Sequence, residues 1–334
     1  MMRIALLGTG AMGTLFGVRL APIAEVWMLG TWAEALQAAR RHGLRLTTPQ
    51  GEETAPVAVA ADPMEVPPCD LALILVKAYQ TERAARWAEQ VLRPDGVALT
   101  LQNGLGPYEI LRERLSAARA FQGVTTMGAT LMAPGHARLG GEGPIWLGPA
   151  SSNRRQIQKI VDLLERAGFQ VEVQEDLQGV IWGKLVANTA INPITALFDV
   201  PNGALLARPD LWRLARGVAR ETAEVARAQG IPLPFEDPEG FVAEVCRRTS
   251  ENSSSMRQDF RRGRPTEIDA LNGAVAAIGR RMGVPTPLNE ALWRWVKAVE
   301  ERRGMAMRPA ELERGPSPAL AQQMDRRSLK GHGG

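Results

Sequence analysis

Apolar and polar residues along the first half of the chain form blocks that predict strands separated by helices. The apolar runs that predict buried strands are RIALLG, AEVWML, DLALILV and VALTLQ. Residues 81–92 have the spacing of a helix. A glycine-rich, strand-like stretch follows over residues 121–147, and we expect it to be antiparallel and to close the sheet. The alternation predicts a mostly parallel sheet with helices on both faces.

The pattern becomes helical after residue 153. The run RRQIQKIVDLLERAG predicts an amphipathic helix that stops at Gly168, and FQVEVQ predicts one last strand. Further helices are predicted over residues 177–198, 211–229, 238–249, 266–282 and 288–302. We therefore expect a sheet-containing domain over residues 1–175 and an all-helical domain over residues 176–304. Residues 305–334 are rich in Pro, Gly and Arg without a period, which predicts a flexible tail.

Composition narrows the class of protein. The chain has 334 residues, enough for two domains, and its net charge of +4 comes without a long Lys/Arg run, so no nucleic-acid partner is predicted. It has no apolar run of about 18 residues, so we expect no membrane span. The apolar N-terminus is soon broken by glycines, unlike a signal peptide. The two cysteines form no CxxC pair, so neither a disulfide framework nor a metal site is predicted, and we expect a cytoplasmic protein.

The segment GTGAMG follows the first predicted strand and precedes a helical run. Gly8 permits a tight turn, Gly10 lets the backbone approach a pyrophosphate, and Gly13 lets helix and strand pack closely. The helix N-terminus would then face the phosphates. Incidental loop glycines are the alternative, but the strand before, the helix after and a second strand at the expected distance favour a Rossmann-type dinucleotide site. The predicted cofactor contacts in this segment are Gly8, Thr9, Gly10, Ala11, Met12 and Gly13.

The end of the second predicted strand usually selects between NAD and NADP, because an acidic residue there holds a ribose hydroxyl of NAD. Here the strand is followed by Gly30 and Thr31, and the first carboxylate is Glu34. The missing acidic residue favours NADPH and leaves NADH open. Thr31 could donate a hydrogen bond to a 2′-phosphate. Arg40 and Arg41 could add charge, although a solvated helix end is the simpler interpretation of both.

Two polar residues follow the next two predicted strands of the sheet. Lys77 lies in LVKAYQT and Asn103 in LQNGLG. Ligands of an open parallel sheet lie beyond the carboxyl ends of its strands, where a lysine can meet an anion and an asparagine can bond a carboxamide or a substrate oxygen. Each residue alone could equally be an exposed lysine or part of an Asn-Gly turn. Their equivalent positions favour a functional role.

The segment WGKLVANTAINPITAL predicts an apolar helix with three polar residues on one face. Lys184, Asn188 and Asn192 are spaced by four residues. An exposed stripe is one interpretation, since lysines on helices are usually solvated. Buried asparagines need partners, at roughly 1–3 kcal/mol for each lost bond, so we prefer a wall that faces a ligand cleft. Pro193 should bend the helix because it removes one helix hydrogen bond.

A second polar cluster lies in ENSSSMRQDF and RPTEIDALNG. Ser253, Ser254 and Ser255 offer hydroxyls and amides suited to a carboxylate. Glu267 lies just inside a predicted helix start, with Thr266 as its candidate N-cap. Taken alone, these residues are more simply explained as helix caps and as a surface glutamate favoured by the helix dipole.

Six motifs of this chain resemble, in order, those of the ketopantoate reductase family: GxGAMG, LVKAYQT, LQNGLG, WGKLVANTAINPITAL, NSSSMRQD and TEIDALNG. The resemblance runs over residues 3–303, and its most specific parts are the lysine–asparagine helix and the last two motifs. It implies an N-terminal Rossmann-type, doubly wound α/β domain and a C-terminal all-helical domain, with the active site in the cleft between them. It also implies reduction of 2-dehydropantoate to (R)-pantoate with NADPH, in the synthesis of pantothenate and coenzyme A.

By this resemblance, Lys184 is the catalytic lysine and Glu267 is the glutamate that supports catalysis. The resemblance implies substrate contacts for Asn103, Lys184, Asn188, Asn192, Asn252, Ser255 and Glu267, and cofactor contacts for Lys77 and Asn103. Two positions depart from the family pattern. Gly30 stands where NADPH-using members often have an arginine. Arg257 stands where an apolar residue is common, and the resemblance assigns no function to this arginine.

The residue types suit this reaction, because hydride would reach the 2-oxo carbon and a proton donor must meet its oxygen. His42, His136 and His332 are the three histidines, and none lies in the matching motifs. Lys184 is therefore the candidate acid, and its ammonium would stabilise the developing alkoxide. Burial would lower its pKa and Glu267 would raise it, and the sequence leaves the balance open. The asparagines would hold the substrate hydroxyl and carbonyl, and Ser255 would hold its carboxylate.

Two other functions stay open at this point. One is a related oxidoreductase of the same layout that acts on another 2-oxo acid or on a hydroxy acid. The other is a non-catalytic dinucleotide sensor, which would have no need of the lysine–asparagine stripe. The expected partner is a small-molecule substrate. The segment NEALWRWVKAV would serve either a homodimer contact or core packing.

Overall fold

A computed structural model of the protein describes residues 1–148 and 153–305. These residues form two compact units. The first unit contains residues 1–102 and 106–177, and the second contains residues 103–105 together with the described residues from 178 onward. Residues 306–334 of the predicted tail, with His332, lie outside the described residues. Met305 is buried, and its amide donates to the carbonyl oxygen of Glu300 at 2.8 Å.

The first unit is built from twelve strands and five helices among the described residues. Its strands are β1 Arg3–Leu7, β2 Glu25–Leu29, β3 Leu44–Thr48, β4 Gly51–Ala55, β5 Ala58–Ala60, β6 Cys69–Ile74, β7 Leu92–Thr100, β8 Ala120–Thr125, β9 Gly128–Ala133, β10 His136–Gly141, β11 Ile145–Leu147 and β12 Val171–Val173. Its helices are α1 Ala11–Leu20, α2 Ala33–His42, α3 Thr81–Val91, α4 Pro107–Leu115 and α5 Arg154–Arg166. The four apolar runs form β1, β2, β6 and β7, as predicted.

The main sheet has eight strands in the order β12-β11-β8-β7-β6-β1-β2-β5. Its central pairs are parallel, from β8 through to β5. Successive residues of β1 point to opposite faces: Ile4 and Leu6 join an apolar core that includes residues of α1 and α5, while Ala5 and Leu7 join one that includes residues of α3 and α4. A parallel sheet covered on both faces confirms the predicted fold class.

The prediction for residues 121–147 is wrong in part. β8 pairs parallel with β7, because the crossover through α4 brings the chain back in the same direction. Only β11 runs antiparallel to β8. β9 and β10 leave this sheet and form a second one, in the order β4-β3-β10-β9. Their hairpin turns at Gly135, whose φ of 69° suits glycine. Alternation of side chains reveals a strand but does not name its pairing partner.

The second unit is helical. Its helices are α6 Gln178–Leu197, α7 Ala204–Ala207, α8 Pro209–Ala228, α9 Pro238–Arg248, α10 Ser255–Arg261, α11 Ala274–Met282 and α12 Pro287–Arg302. Apolar residues of α6, α8, α9 and α12 share one core. The helix predicted over residues 266–282 starts instead as a π-helical turn, Asp269–Gly273. On α12, Leu292 and Val296 are buried while Trp295 is exposed.

Within residues 1–148 and 153–305, no helix combines the length and the apolar character that crossing a membrane requires.

Candidate functional site

The turn between β1 and α1 has the geometry that its glycines predict. Gly8 has a φ of 138°, and its amide donates to the carbonyl oxygen of Leu29 at the end of β2. A Cβ at Gly13 would lie 1.9 Å from the carbonyl oxygen of Gly8, so only glycine lets α1 pack against the turn. A Cβ at Gly10 would meet nothing within 4 Å. Gly10 is therefore free of steric pressure from the described chain.

The N-terminus of α1 lacks a side-chain cap. Gly10, which has no side chain to cap the helix, is the N-cap residue, and no acidic residue lies in the first turn. The first amides of a helix have no partner within the helix, and the helix dipole makes this end favourable for an anion. The amides of Ala11, Met12 and Gly13 can thus receive a phosphate group.

Contact with Thr9 explains why a glycine follows β2. A Cβ at Gly30 would lie 2.6 Å from Cγ2 of Thr9, which is itself buried. A larger residue after β2 would therefore displace Thr9 from the glycine turn. Thr31 is exposed beside it. Arg40 and Arg41 are exposed in the last turn of α2, as expected of a solvated helix end.

The residues after β6 and β7 are joined by one glutamine. The side-chain amide of Gln102 donates to the carbonyl oxygen of Val76 at 3.0 Å and to Oγ1 of Thr81 at 2.8 Å. Lys77 follows Val76, is half-buried and precedes the short 3₁₀ turn Ala78–Gln80. The two strand ends are thus held in register by side chains as well as by the sheet.

Helix α6 carries the predicted polar stripe on an apolar body. Lys184 and Asn188 are half-buried and Asn192 is buried, so the interpretation of an exposed stripe is wrong. With 1.5 Å of rise per residue, the three side chains follow one another at intervals of about 6 Å along one face. Burial lowers the pKa of Lys184 to about 8, and the charge of Glu267 opposes this by raising it. Of the two effects that the sequence left open, burial is the larger.

Pro193 lies inside α6 without ending it, because another residue replaces the hydrogen bond that the proline cannot make. Proline has no N–H to offer to the carbonyl of residue 189. The side-chain amide of Asn272 donates to that Thr189 carbonyl at 3.1 Å and to Oδ1 of Asn289 at 3.0 Å. Asn272 is fully buried in the π-helical turn. It therefore fixes the segment after Glu267 to the middle of α6.

Glu267 is buried, so the interpretation of a surface glutamate is wrong. Its Oε2 accepts a hydrogen bond from the side-chain amide of Asn103 at 3.3 Å. The amide of Leu105 donates to the carbonyl oxygen of Ala270 at 2.9 Å. A Cβ at Gly104, which has a φ of 82°, would lie 2.4 Å from that same carbonyl oxygen. Asn103 thus lies in a glycine turn, and this turn brings its side-chain amide to Glu267. The two interpretations of Asn103, as a turn residue and as a residue of the site, are therefore compatible.

A second buried carboxylate holds the residue before Glu267. Glu300 is 2% exposed, and its Oε1 accepts from the amide and from Oγ1 of Thr266, both at 2.7 Å. The ammonium of Lys297 lies 3.3 Å from Oε2 of Glu300. Oγ1 of Thr266 also accepts from the amide of Ile268 at 3.3 Å, but the N-cap residue of the following π-helical turn is Ile268, so the predicted N-cap role of Thr266 is wrong.

The serine cluster divides into capping and non-capping residues. Ser254 is buried and caps α10, with its Oγ accepting from the amide of Arg257 at 3.2 Å. Ser255 is the first residue of α10 and is half-buried. Oγ of Ser253 is buried and has no hydrogen-bond partner within the described part of the chain. Asn252 is exposed, and its carbonyl accepts from the amide of Asn202 at 3.1 Å.

The two described histidines belong to the first unit. His136 contacts Oγ1 of Thr47 at 2.8 Å and Nη2 of Arg45 at 3.1 Å, where β10 meets β3. His42 is exposed at the end of α2. His136 therefore lies in a sheet of the first unit, and His42 lies on the surface of one of its helices.

Sequence reasoning missed several buried polar residues that support the site. Asn272 lies in the motif TEIDALNG, but the sequence assigns no role to it or to Glu300, Asn289 and Thr189. Thr189 shares α6 with Lys184, and its Oγ1 lies 3.0 Å from Oγ1 of Thr222 on α8. The available signal was a polar residue at a helix position surrounded by apolar ones. The hydrogen-bond partners of such residues, however, can be identified only in the folded structure.

The parallel sheet, the glycine turn after β1 and the uncapped N-terminus of α1 define a Rossmann-type dinucleotide-binding protein. Comparison with known proteins narrows this class. Residues 4–152 match the family model described as ketopantoate reductase PanE/ApbA, and residues 176–300 match its C-terminal model.

Relatives named 2-dehydropantoate 2-reductase support the same family. The enzyme of Archaeoglobus fulgidus is 35% identical over 302 residues, which cover 89% of this chain and 98% of that one. The enzyme of Halobacterium salinarum is 36% identical over 296 residues, covering 87% of this chain and 96% of that one. The chain therefore belongs to the ketopantoate reductase family of NAD(P)-dependent oxidoreductases.

Solved structures share the fold over most of the chain. The PanE/ApbA family ketopantoate reductase from Ralstonia eutropha JMP134 is 32% identical, with a TM-score of 0.84 over 91% of this chain and 100% of that chain. D-mandelate dehydrogenase in its ternary structure with NADH and anilino(oxo)acetate is 27% identical, with a TM-score of 0.85 and the same coverage.

Proposed function

We propose that the protein reduces 2-dehydropantoate to (R)-pantoate with NADPH, in the synthesis of pantothenate and coenzyme A. The names of its relatives support this substrate, and the apolar helix with a partly buried lysine and two asparagines supports the chemistry. The observation that carries the proposal is Lys184, whose pKa of about 8 lies close to neutral pH. A proton donor works best when its pKa lies near the working pH.

The residues of the first unit suit a dinucleotide. Open space beside Gly10 and the start of α1 without a side-chain cap support a pyrophosphate at Gly8, Thr9, Gly10, Ala11, Met12 and Gly13. NADPH, when bound, would supply the hydride that reduces the 2-oxo carbon. Lys77 and Asn103 are proposed as further cofactor contacts. Thr31 is proposed to donate to the 2′-phosphate, and the lack of a carboxylate at the end of β2 supports NADPH over NADH.

Lys184 is proposed as the general acid. Its ammonium would sit against the 2-oxo oxygen, stabilise negative charge there and then transfer its proton. Glu267 is proposed to keep enough of the lysine protonated, since its charge raises the pKa that burial lowers. Asn103 would orient Glu267 through their hydrogen bond. The proposed proton transfer thus involves the ammonium of Lys184, the carboxylate of Glu267, the side-chain amide of Asn103 and the 2-oxo oxygen of the substrate.

Substrate binding is proposed to use the rest of the polar stripe. Asn188 and Asn192 would hold the hydroxyl and carbonyl oxygens of the keto acid, and Ser255 would donate to its carboxylate. Asn252 is exposed and would contribute only if the keto acid reaches the surface of the second unit. These assignments follow the order in which the residues occur along α6 and at the start of α10.

The test is a steady-state assay in which ketopantoate is reduced with NADPH and, separately, with NADH. We expect saturable, ketopantoate-dependent loss of nicotinamide absorbance and a higher kcat/KM with NADPH. Saturable NADPH binding without any ketopantoate-dependent oxidation would contradict the proposed reaction. A preference for NADH would contradict only the assignment of the phosphate site.

A second candidate is reduction of a different 2-oxo acid, or oxidation of the matching hydroxy acid. The likeness to D-mandelate dehydrogenase, at a TM-score of 0.85, favours including it. Initial rates across a panel of 2-oxo acids, aliphatic and aromatic, distinguish the two. We expect the highest kcat/KM for ketopantoate, whereas a higher value for an aromatic 2-oxo acid would support the second candidate.

A further inference from the structure

Arg257 is buried against the end of helix α6. The residue is 9% exposed. Its Nε donates to Oδ1 of Asp199 at 2.8 Å, and its Nη2 donates to the backbone carbonyl oxygen of Asp199 at 2.9 Å. One guanidinium thus binds both the side chain and the main chain of a single residue. Such a two-point contact fixes direction as well as distance.

The backbone at Asp199 explains what this contact does for α6. The helix ends at Leu197, and Asp199 has a φ of 49°, in the left-handed region that a residue with a side chain seldom adopts. The amide of Val200 turns back to the carbonyl oxygen of Thr195 at 3.1 Å, which closes the helix end. The carbonyl of Asp199 then lies outside the helix and takes Arg257 as its donor.

The charge at this helix end is stable over a wide pH range. Arg261 and Arg257 hold the pKa of Asp199 down to about 2. Oδ1 of Asp199 also accepts from Nε of Arg261 at 2.8 Å, but Arg261 is exposed where Arg257 is buried. The two arginines therefore share one carboxylate from different environments, and they provide a matched pair for mutation.

A second connection joins the same two helices through hydroxyl groups. Oγ of Ser254 lies 2.7 Å from Oγ1 of Thr195. Oγ1 of Thr195 donates within α6, at 2.8 Å to the carbonyl oxygen of Ile191 and 3.1 Å from that of Asn192. Ser254 is therefore the donor to Thr195, and it accepts from the amide of Arg257. Asn192 belongs to this turn of α6, and Ser255 directly follows Ser254.

We infer that Arg257 is a positioning residue that sets Ser255 on α10 against Asn192 on α6, so that both can hold one keto acid. The inference rests on the proposed function for its substrate. Loss of the Arg257 guanidinium would remove the buried bonds from α10 to Asp199, including the only one of the two arginines' bonds that reaches its backbone carbonyl, while the exposed bonds of Arg261 and the bond between Ser254 and Thr195 remain. Lys184 lies two helical turns before Asn192, so the proton donor would keep its place. The effect should therefore fall on substrate affinity.

The variants Arg257→Met and Arg261→Met test this inference in the full chain. Each exchanges a guanidinium for an apolar side chain, and each loses two hydrogen bonds to Asp199. We expect Arg257→Met to raise the KM for ketopantoate by about tenfold or more, since small displacements of a positioning group have large effects. Its kcat should stay within about twofold, and its NADPH affinity should not change. Arg261→Met should match the wild type, and Arg257→Lys should give an intermediate KM.

Other outcomes would overturn the inference. An unchanged KM in folded Arg257→Met would do so. The inference would also fail if both arginine variants showed the same decrease in kcat, the same increase in KM and the same decrease in melting temperature. If Arg257→Met does not fold, Ser254→Ala replaces it, because it removes the other connection and should also raise KM alone. Wild-type turnover is measured first. If the wild type does not reduce ketopantoate, the proposed function is contradicted. The KM values of the variants and the wild type would then be compared with the 2-oxo acid that the panel identifies as the substrate.

Discussion

The side-chain amide of Asn103 donates to Oε2 of Glu267 at 3.3 Å, although 164 positions separate the two residues in the chain. The neighbouring amide of Leu105 donates to Ala270 in the same region. The short segment that follows β7 is thus anchored on both sides of its glycine turn. Glu267 in turn raises the pKa of Lys184 against the effect of burial. An uncharged amide therefore orients the carboxylate that tunes the proposed acid.

The first prediction concerns the pH dependence of reduction. Lys184 must be protonated to act as an acid, so kcat/KM should be level below its pKa of about 8 and fall tenfold per pH unit above it. Replacing Glu267 with glutamine removes the charge that raises this pKa. The alkaline limb should then move to lower pH. Rates of NADPH oxidation between pH 6 and 10 (about the range in which the lysine titrates) provide the measurement.

The exposed residue Glu301 gives the matched control for that profile. The variant Glu301→Gln makes the same chemical change and should leave the alkaline limb in place. If the limb stays at the wild-type pH in Glu267→Gln as well, Glu267 does not tune the acid. If the limb moves upward, the sign of the electrostatic argument is wrong.

The second prediction concerns the partnership of Pro193 and Asn272. In Asn272→Ala, the carbonyl of Thr189 loses its donor, and the free energy of unfolding should fall by about 1–3 kcal/mol. Pro193→Ala restores an N–H that can bond that carbonyl within the helix. The double variant should therefore be more stable than the sum of the single effects, with a coupling of at least about 0.5 kcal/mol. Urea unfolding of the four proteins measures this coupling.

Additive single effects would show that the two residues act separately. The kinetic consequence is a further check, because Asn272 joins the segment after Glu267 to the helix of Lys184. We expect kcat to fall in Asn272→Ala and to recover in part in the double variant. A stability effect without any kinetic effect would restrict Asn272 to folding.

The third prediction separates the roles of two glycines in the turn after β1. Gly13→Ala would place a Cβ 1.9 Å from the carbonyl oxygen of Gly8, so the protein should lose several kcal/mol of stability or fail to fold. Gly10→Ala meets no neighbouring atom. Its melting temperature should stay close to the wild-type value, while its NADPH affinity should fall by about tenfold or more, because the added methyl group occupies space for the pyrophosphate.

Thermal melts and fluorescence titrations with NADPH measure these two effects. Wild-type affinity in a folded Gly10→Ala variant would place the pyrophosphate elsewhere. Equal destabilisation by both substitutions would mean that the space beside Gly10 has a folding role that its surroundings do not suggest.

The sequence predicts most of the main elements, because local patterns carry that information. The strands β1, β2, β6 and β7 and the long helices follow from apolar runs and periodicity. The second sheet could not be predicted from the sequence pattern. In that sheet β10 pairs with β3, about 90 residues earlier, and the alternation of side chains along a strand does not indicate which strand it pairs with. Tertiary pairing was therefore the main missing information about the fold.

The candidate site shows the same division. The spacing of Lys184, Asn188 and Asn192 is local, and the structure places them on one face of α6. The burial of Glu267 was not predictable, because a glutamate at a helix start is usually a surface residue. The donor that Asn272 supplies to the helix around Pro193 comes from a segment 83 positions away from the Thr189 carbonyl that accepts it. The motifs thus name the groups that are proposed to react, and only the folded structure shows which residues hold them in place.

The most direct test of the account is the turnover of Lys184→Ala. Steady-state reduction of ketopantoate and equilibrium binding of NADPH are measured on the same preparation, beside the wild type. We expect kcat to fall by about 10²–10⁴-fold while NADPH affinity stays within about twofold. Turnover close to that of the wild type, by a folded variant that binds NADPH normally, would show that the lysine is not the proton donor.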